Sequence, residues 1–147
     1  MSVNYYPPVG FHFKVNFDGV SQNDKDYRFQ SVSGLSVDIE TEDYAEGGEN
    51  RFKHKLPVKT KFPNLVLKRG MLLDSEVIAW CQNAIENFVF EPANITIDLL
   101  NENHSPLKTW NIVGAYPVKW SVEDLNAQES KLVIESIELV YNYFTII

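Results

Sequence analysis

The chain has 147 residues, enough for one domain (1–147) that buries most of the surface its unfolded form exposes. Hydrophobic content of 44% and charged content of 22% exclude a disordered chain, and a net charge of −7 argues against nucleic acid as a general partner. A single cysteine, Cys81, excludes an intrachain disulfide and fits a reducing compartment.

Met1–Pro8 lacks a charged n-region and an apolar h-region, so no signal peptide is expected. No apolar run approaches the roughly 18 residues of a membrane helix, so no direct membrane insertion is expected. After Pro7-Pro8, the residues Phe11, Phe13, Val15 and Phe17 alternate with polar ones and predict a strand with one buried face. Ser21–Asp26 is a polar loop. A second strand is expected over Tyr27–Val32, broken by Ser33-Gly34. Leu35, Val37 and Ile39 resume the alternation, with Ser36, Asp38 and Glu40 on the other face.

The most unusual segment follows. Six acids fall within twelve residues: Asp38, Glu40, Glu42, Asp43, Glu46 and Glu49. Seven of the thirteen basic residues follow within the nineteen positions 51–69: Arg51, Lys53, Lys55, Lys59, Lys61, Lys68 and Arg69. Gly47-Gly48 permits a hairpin-like reversal between the blocks. A charged loop over about 40–61 has little to bury in its own core, so it is built to lie on something else.

Leu65 and Leu67 predict a short strand ending near Lys68-Arg69-Gly70. A helix follows over about 75–89, capped by Asp74 or Ser75, with Glu76 favouring the positive end of its dipole. Its apolar stripe is Val77, Cys81, Ala84, Ile85 and Phe88; Trp80 lies off that stripe and is available to a neighbouring element or chain. Pro92 bars its continuation. The rest is β. Ile95, Ile97 and Leu99 alternate, Asn101–Ser105 is a polar turn, and Trp110 and Ile112 alternate. Val118, Trp120 and Val122 then alternate with Lys119, Ser121 and Glu123. After a polar connection (Asp124–Ser130), Leu132–Tyr143 forms a long last strand, whose shifted apolar phase predicts a bulge near Ser136. The final nine residues carry no charge and need covering by this subunit's sheet or by another subunit. The fold class is mainly β: an antiparallel two-sheet barrel or sandwich with one packed helix.

Motifs for chemistry are missing. His12, His54 and His104 are scattered, with no spacing suited to zinc. There is no Gly-x-Ser-x-Gly element and no phosphate loop, and Cys81 sits on an apolar face. No cofactor, metal or catalytic residue is expected. The residues alone describe a β-rich interaction or structural module. A monomeric ligand-binding β-barrel and a hydrolase using the carboxylate cluster are the competing classes.

An ordered set of segments carries a resemblance. It comprises Phe13-x-Val15-x-Phe17-x-Gly19, Phe29-x-x-Val32-Ser33-Gly34-Leu35, and Tyr44-x-Glu46-Gly47-Gly48-x-Asn50 followed by Lys55-Leu56-Pro57. Phe62-x-Asn64-Leu65-Val66-Leu67-Lys68-Arg69-Gly70, with Trp80 following, is the most specific. Trp110, Ala115-Tyr116-Pro117-Val118-Lys119, Asn126-Ala127 and Ile134-Glu135-Ser136-Ile137-Glu138-Leu139 complete it. The set resembles the inner-tube proteins of contractile phage tails and phage-tail-like injection systems, the T4-type tail tube family. Val58 after Pro57, where the family often has glycine, and the very apolar Tyr141–Ile147 end depart from its pattern.

The resemblance implies hexameric rings of β-barrel-like subunits stacked head to tail into a hollow tube within a contractile sheath. It implies sheath, baseplate and tail-terminator proteins as partners, and protein cargo or DNA in the lumen. It implies assembly in the bacterial cytoplasm, as part of a phage tail or phage-tail-like particle. The tube protein of a type VI secretion apparatus is the nearest alternative. On this reading Asp38, Glu40, Glu42, Asp43, Tyr44, Glu46, Gly47, Gly48, Glu49, Arg51, Lys53, Lys55, Lys59 and Lys61 form an inter-subunit arm, whose acidic and basic halves meet opposite charges on neighbours. Lys68, Arg69, Trp80, Tyr141, Tyr143 and Phe144 are ring-interface candidates. Ser36, Asp38, Glu40, Lys119, Ser121 and Glu123 are lumen candidates.

Overall fold

Alternating apolar residues build a closed barrel whose circuit can be followed strand by strand. The structure is a computed structural model and describes residues 12–21, 24–44, 54–123 and 133–147. Strand β1 (His12–Phe17) pairs antiparallel with β7 (Ala93–Leu100), and β7 with the first half of β8 (Pro106–Val122). The second half of β8 pairs with β9 (Ile134–Val140), which pairs with β6 (Leu65–Gly70). Strands β2 (Arg28–Phe29) and β3 (Ser31–Ser33) then close the ring, since β2 pairs with β1 and β3 with β6. Only Gln30 separates them, and its N–H donates to the Lys68 carbonyl at 2.9 Å. Strand β10 (Tyr143–Ile146) adds to the first half of β8. A separate two-stranded ribbon consists of β4 (Asp38–Tyr44) and β5 (His54–Lys61). The expected antiparallel two-sheet barrel is thus present.

The inward positions of each strand supply the core: Val15, Phe17, Ile95, Ile97, Ile112, Ile137, Leu139, Leu65 and Leu67 are all essentially inaccessible. Helix α1 (Glu76–Asn87) packs on β8. It buries Val77, Cys81 and Ala84 of the expected stripe together with Trp80, while Ile85 and Phe88 are exposed. The true stripe is rotated toward Trp80, whose ring meets Phe17 at 5.8 Å and whose indole N–H donates to the Glu91 carbonyl at 2.7 Å.

Several other expectations are corrected. Strand β8 runs through Gly114 and Pro117 as one 17-residue strand. It changes sheets near Gly114, whose φ of +70° strains any other residue and where a Cβ would displace the Asn142 side-chain amide. Its register slips between Pro117 and Lys119, so Val118 and Trp120 are partly exposed rather than core. No bulge occurs at Ser136, which keeps register with both Lys68 and Ser121. The inward series is Glu135, Ile137, Leu139 and Tyr141, so the apparent phase shift is a buried carboxylate at an inward position. The irregularity falls instead at Tyr141-Asn142, between β9 and β10. Val37 and Ile39 are exposed, so their alternation belongs to the ribbon and not to the core. Phe11 and Leu132 lie outside the described residues.

That buried Glu135 belongs to the main polar cluster of the core. Arg69 continues the inward series Leu65, Leu67 on β6 and is 2% exposed. Its Nε donates to Glu135 at 3.0 Å, and its guanidinium pairs with Asp26 at 3.1 Å and lies 4.8 Å from the Phe29 ring centre. Asp26 closes a 3-10 turn (Asp24–Tyr27) and is fully buried, as Ser21 nearly is, although the sequence reads both as a polar loop. Asp26 accepts from Ser21 Oγ at 2.6 Å, from Ser75 Oγ, and from the Glu76 N–H at 3.1 Å. Ser75 also caps α1 by accepting from the Ile78 N–H at 3.1 Å. The Trp120 indole N–H reaches the other Glu135 oxygen at 3.3 Å. Two strands, a turn and a helix N-terminus are thus tied to one guanidinium.

Burial alone would raise the Asp26 pKa, but the Ser21 and Ser75 hydrogen bonds and the Arg69 charge outweigh it and hold the carboxyl below its usual range. A lowered carboxyl pKa adds stability above the usual Asp value, and that stability disappears as pH falls through the folded-state value. Asp26→Asn is therefore expected to flatten the acid limb of a stability-versus-pH curve measured by urea unfolding; an unchanged limb would refute this role. Arg69→Ala leaves two buried carboxylates unpaired and is expected to cost about 3–5 kcal/mol. Adding Asp26→Asn and Glu135→Gln to it should recover part of that loss, and a triple variant no more stable than the single one would overturn the account.

Candidate assembly surfaces

The charged arm is a ribbon, not a loop. Its cross-strand pairs are Asp38 with Lys61, Glu40 with Lys59, and Asp43 with Lys55, while Glu42 stands opposite Leu56. Lys59 Nζ approaches Glu40 at 3.5 Å. Tyr44 stacks on His54 at 5.2 Å between ring centres. The acidic and basic blocks therefore face one another within the chain. This changes the expectation that they wait for opposite charges on neighbours. At the ribbon's base, Gly34 (φ +96°) lies against the Asn64 carbonyl, where any Cβ would clash. Glu46, Gly47, Gly48, Glu49, Arg51 and Lys53 lie outside the described residues.

The ribbon has no hydrogen-bonded partner strand beyond itself among the described residues. Ile39, Leu56 and Val58 are 63%, 48% and 52% exposed. A lone two-stranded ribbon is marginally stable in water, so this one presents apolar side chains without a sheet behind them.

The ring-interface candidates divide. Arg69, Trp80, Tyr141 and Phe144 are buried inside the subunit and are corrected to core residues. Tyr141 and Phe144 pack on Phe62 at 6.0 and 5.1 Å. Burial raises the Tyr141 pKa. Lys68 lies on the outer barrel face and pairs with Glu123 at 3.5 Å. Tyr143 is 46% exposed on β10, beside the exposed Ile146 and Ile147. Among the described residues β10 pairs only with β8, so its other edge is open.

The lumen candidates do not share one face. Ser36, Asp38 and Glu40 belong to the ribbon and the segment leading into it. Lys119 and Ser121 lie on the outer face of β8, opposite Glu138 and Ser136. The sequence reading also missed an apolar groove of about 390 Å3 between α1 and β8, lined by Ile78, Cys81, Gln82, Ile85, Glu86 and Trp120. Burial pushes the Cys81 thiol up to about 12, which removes it as a nucleophile near neutral pH. No group of three or more metal-ligating side chains occurs among the described residues.

The arrangement is a closed barrel carrying a detached charged ribbon, and the comparisons identify it. Residues 9–145 match the family model of the T4-like virus tail tube protein gp19. The chain belongs to this tail tube family. A chain in the cryo-EM structure of the anti-feeding prophage baseplate, 6-fold symmetrised, is 30% identical with a TM-score of 0.79, covering 100% of this chain and 97% of that one. A chain in the extended sheath–tube complex of the extracellular contractile injection system PVC is 27% identical (TM-score 0.72; 99% and 93% covered). Hcp1 from Flavobacterium johnsoniae, at 13% identity and TM-score 0.56 over 92% of this chain and 94% of that one, shares the fold alone. Comparison with curated proteins gives no match. The chain is accordingly a structural tail tube protein.

The ribbon pairing is open to a direct check. Lys59→Glu places two carboxylates opposite each other and should weaken the ribbon by about 0.2–1 kcal/mol. Hydrogen exchange at the 54–61 amides should quicken in that variant and return toward its original rate in the Glu40→Lys, Lys59→Glu double reversal. Equal exchange in all three proteins would rule out the cross-strand ion pair as a contributor.

Proposed function

We propose that this tail tube protein forms hexameric rings that stack head to tail into the hollow inner tube of a contractile injection system or phage tail. The tube is driven through a target envelope by contraction of a surrounding sheath. The observation that carries the reading is the detached ribbon, which exposes apolar side chains on a subunit whose barrel is otherwise closed. A head-to-tail contact between unlike surfaces propagates as a filament, and a ring uses the same kind of contact where rotation closes it.

The ribbon's internal charge pairing, with its Lys59–Glu40 ion pair, refines the mechanism. An exposed pair contributes about 0–1 kcal/mol, whereas a fully buried Ile, Leu or Val contributes about 1.5–3 kcal/mol. The charges hold the ribbon's register, and Ile39, Leu56 and Val58 supply adhesion to the neighbouring subunit or ring. Tyr143, Ile146 and Ile147 on the open edge of β10 provide a second contact. Lys68 and its partner Glu123 occupy the outer wall together with Lys119 and Ser121, where they meet a ring neighbour or the lumen.

The partners follow from the related assemblies, which are described with a baseplate, a sheath, a tube-terminating cap and a sheath/tube terminator. For this chain the reading is a sheath around the tube, baseplate and terminator proteins at its ends, cargo protein or DNA inside, and assembly in the bacterial cytoplasm. No helix among the described residues is long and apolar enough to cross a membrane. The subunit acts as structure and not as an enzyme.

Deleting Thr41–Lys53 tests the reading. The purified variant should keep the circular dichroism spectrum of the barrel but yield few or no tubes by electron microscopy, where the intact chain yields rings and tubes. Tubes of normal length from the variant would sink the proposed role of the ribbon.

A further inference from the structure

The three histidines are scattered in sequence, but the fold brings two of them together. His12 Nε2 and His104 Nδ1 are 2.8 Å apart, with one ring donating and the other accepting. Their rings meet edge to face at 4.7 Å between centres. Together with Lys14, Tyr27 and Arg28 they surround a pocket of about 350 Å3, with Phe13 and Leu100 completing its lining.

Two features of this pocket work against the stability of the empty site. Lys14 and Arg28 stand directly opposite each other on β1 and β2, and like charges in that position destabilise a ladder. His104 holds a left-handed backbone, φ +62°, in a turn otherwise well hydrogen-bonded: its N–H donates to the Asn101 carbonyl at 2.9 Å, and the Asn101 side chain accepts from the Asn103 and Ser105 N–H groups. That backbone presents the His104 ring to His12. Lys14 Nζ also lies 5.7 Å from the Tyr27 ring centre.

Acids contribute little compensation among the described residues. Asp98 stands opposite Lys14 on the β7 side, but one of its oxygens accepts the Thr109 hydroxyl at 2.6 Å. Glu102 is in the turn before His104, and neither acid lines the pocket. In a chain of net charge −7 this is a local concentration of cationic and ring N–H donors.

We propose that this pocket is an oxyanion site, taking a carboxylate, phosphate or sulfate group against the hydrogen-bonded imidazole pair, Lys14 and Arg28. Such a group relieves the Lys14–Arg28 repulsion, and once His12 is protonated its Nε2–H still donates to His104 Nδ1 while the remaining ring N–H of each histidine is free to donate to the anion. Binding is therefore coupled to proton uptake. Burial, then His104, then Arg28 hold the His12 pKa below its usual value in the unliganded protein. The unliganded chain thus loses stability as pH falls through the ordinary histidine range, and a bound anion reverses that loss. Affinity rises toward acid pH, and the site senses both an anion and a proton.

Sodium sulfate is a suitable probe, because its charge is constant across the histidine range. Calorimetric titration of the full chain at constant ionic strength should show binding about tenfold tighter near pH 5.5 than near pH 7.5. His12→Gln and His104→Gln should remove the pH dependence, and Lys14→Gln and Arg28→Gln should weaken binding about tenfold at both values. Circular dichroism of each variant separates loss of the site from loss of the fold. A capped glutamate-rich peptide forms the second arm. Tighter binding of the peptide assigns the site to carboxylates of an apposed chain, and tighter binding of sulfate assigns it to a free tetrahedral anion; either supports an oxyanion site. Absence of binding by both probes, or equal affinity in all folded variants, overturns the proposal.

Discussion

The structure depends most on one buried guanidinium. Arg69 sits at an inward position of a barrel strand, where its neighbours are Leu65 and Leu67. Placing a cation there carries a large desolvation cost unless every donor finds an acceptor. Glu135 on the adjacent strand, Asp26 on the 3-10 turn and Ser75 at the helix cap supply them. These acceptors come from three separate places in the chain, so the network forms only when the barrel has closed and the helix has docked. An apolar core of the same volume could be more stable. The polar one restricts which arrangement of turn, helix and strands is acceptable, because any other leaves a buried charge unpaired.

That constraint separates the roles of barrel and ribbon. The barrel satisfies its strand edges by closing on itself, and its inward side chains saturate one core. The ribbon's strands pair only with each other, and its lysines and acids face across the same two strands. It also exposes the apolar Ile39, Leu56 and Val58 around the register shift between Glu40 and Thr41. On the proposed assembly, barrel stability and assembly strength therefore reside in different residues. Changes in one can be made with little effect on the other, since the two regions share few packed side chains.

Much of the barrel was legible because period-two alternation follows directly from strands that bury one face. Val15 and Phe17, Ile95 and Ile97, Leu65 and Leu67, and Ile137 and Leu139 all lie where that pattern puts them. The pattern failed where a charge takes an inward position. Glu135 read as a break in phase, although an arginine and a glutamate occupying the inward phase of two strands is itself a signal of a buried pair. Asp26 and Ser21 had no such signal, because a polar residue in a loop looks the same whether it is exposed or caps a distant helix. Ile39 shows the converse failure: its alternation is genuine, but the face it marks is 63% exposed and packs on no sheet among the described residues. Alternation reports a need for burial and does not say which chain satisfies it.

The same reasoning bears on the charged stretch. Its composition alone, acids followed by bases, fits two arrangements: halves that reach separate partners, or halves that meet each other. A reversal near the middle of such a sequence brings opposite charges into register at no cost in chain length, so intrachain pairing competes directly with any contact to a neighbour. The observed register is the local solution, at Asp38–Lys61, Glu40–Lys59 and Asp43–Lys55. Once those charges are matched, their contribution to a neighbouring subunit is reduced to orientation and exclusion of misfitting surfaces. On the proposed assembly, adhesion then falls to the exposed Ile39, Leu56 and Val58. An arm of this kind can hold many identical subunits together in a medium of ordinary salt, because apolar burial is not screened as surface ion pairs are.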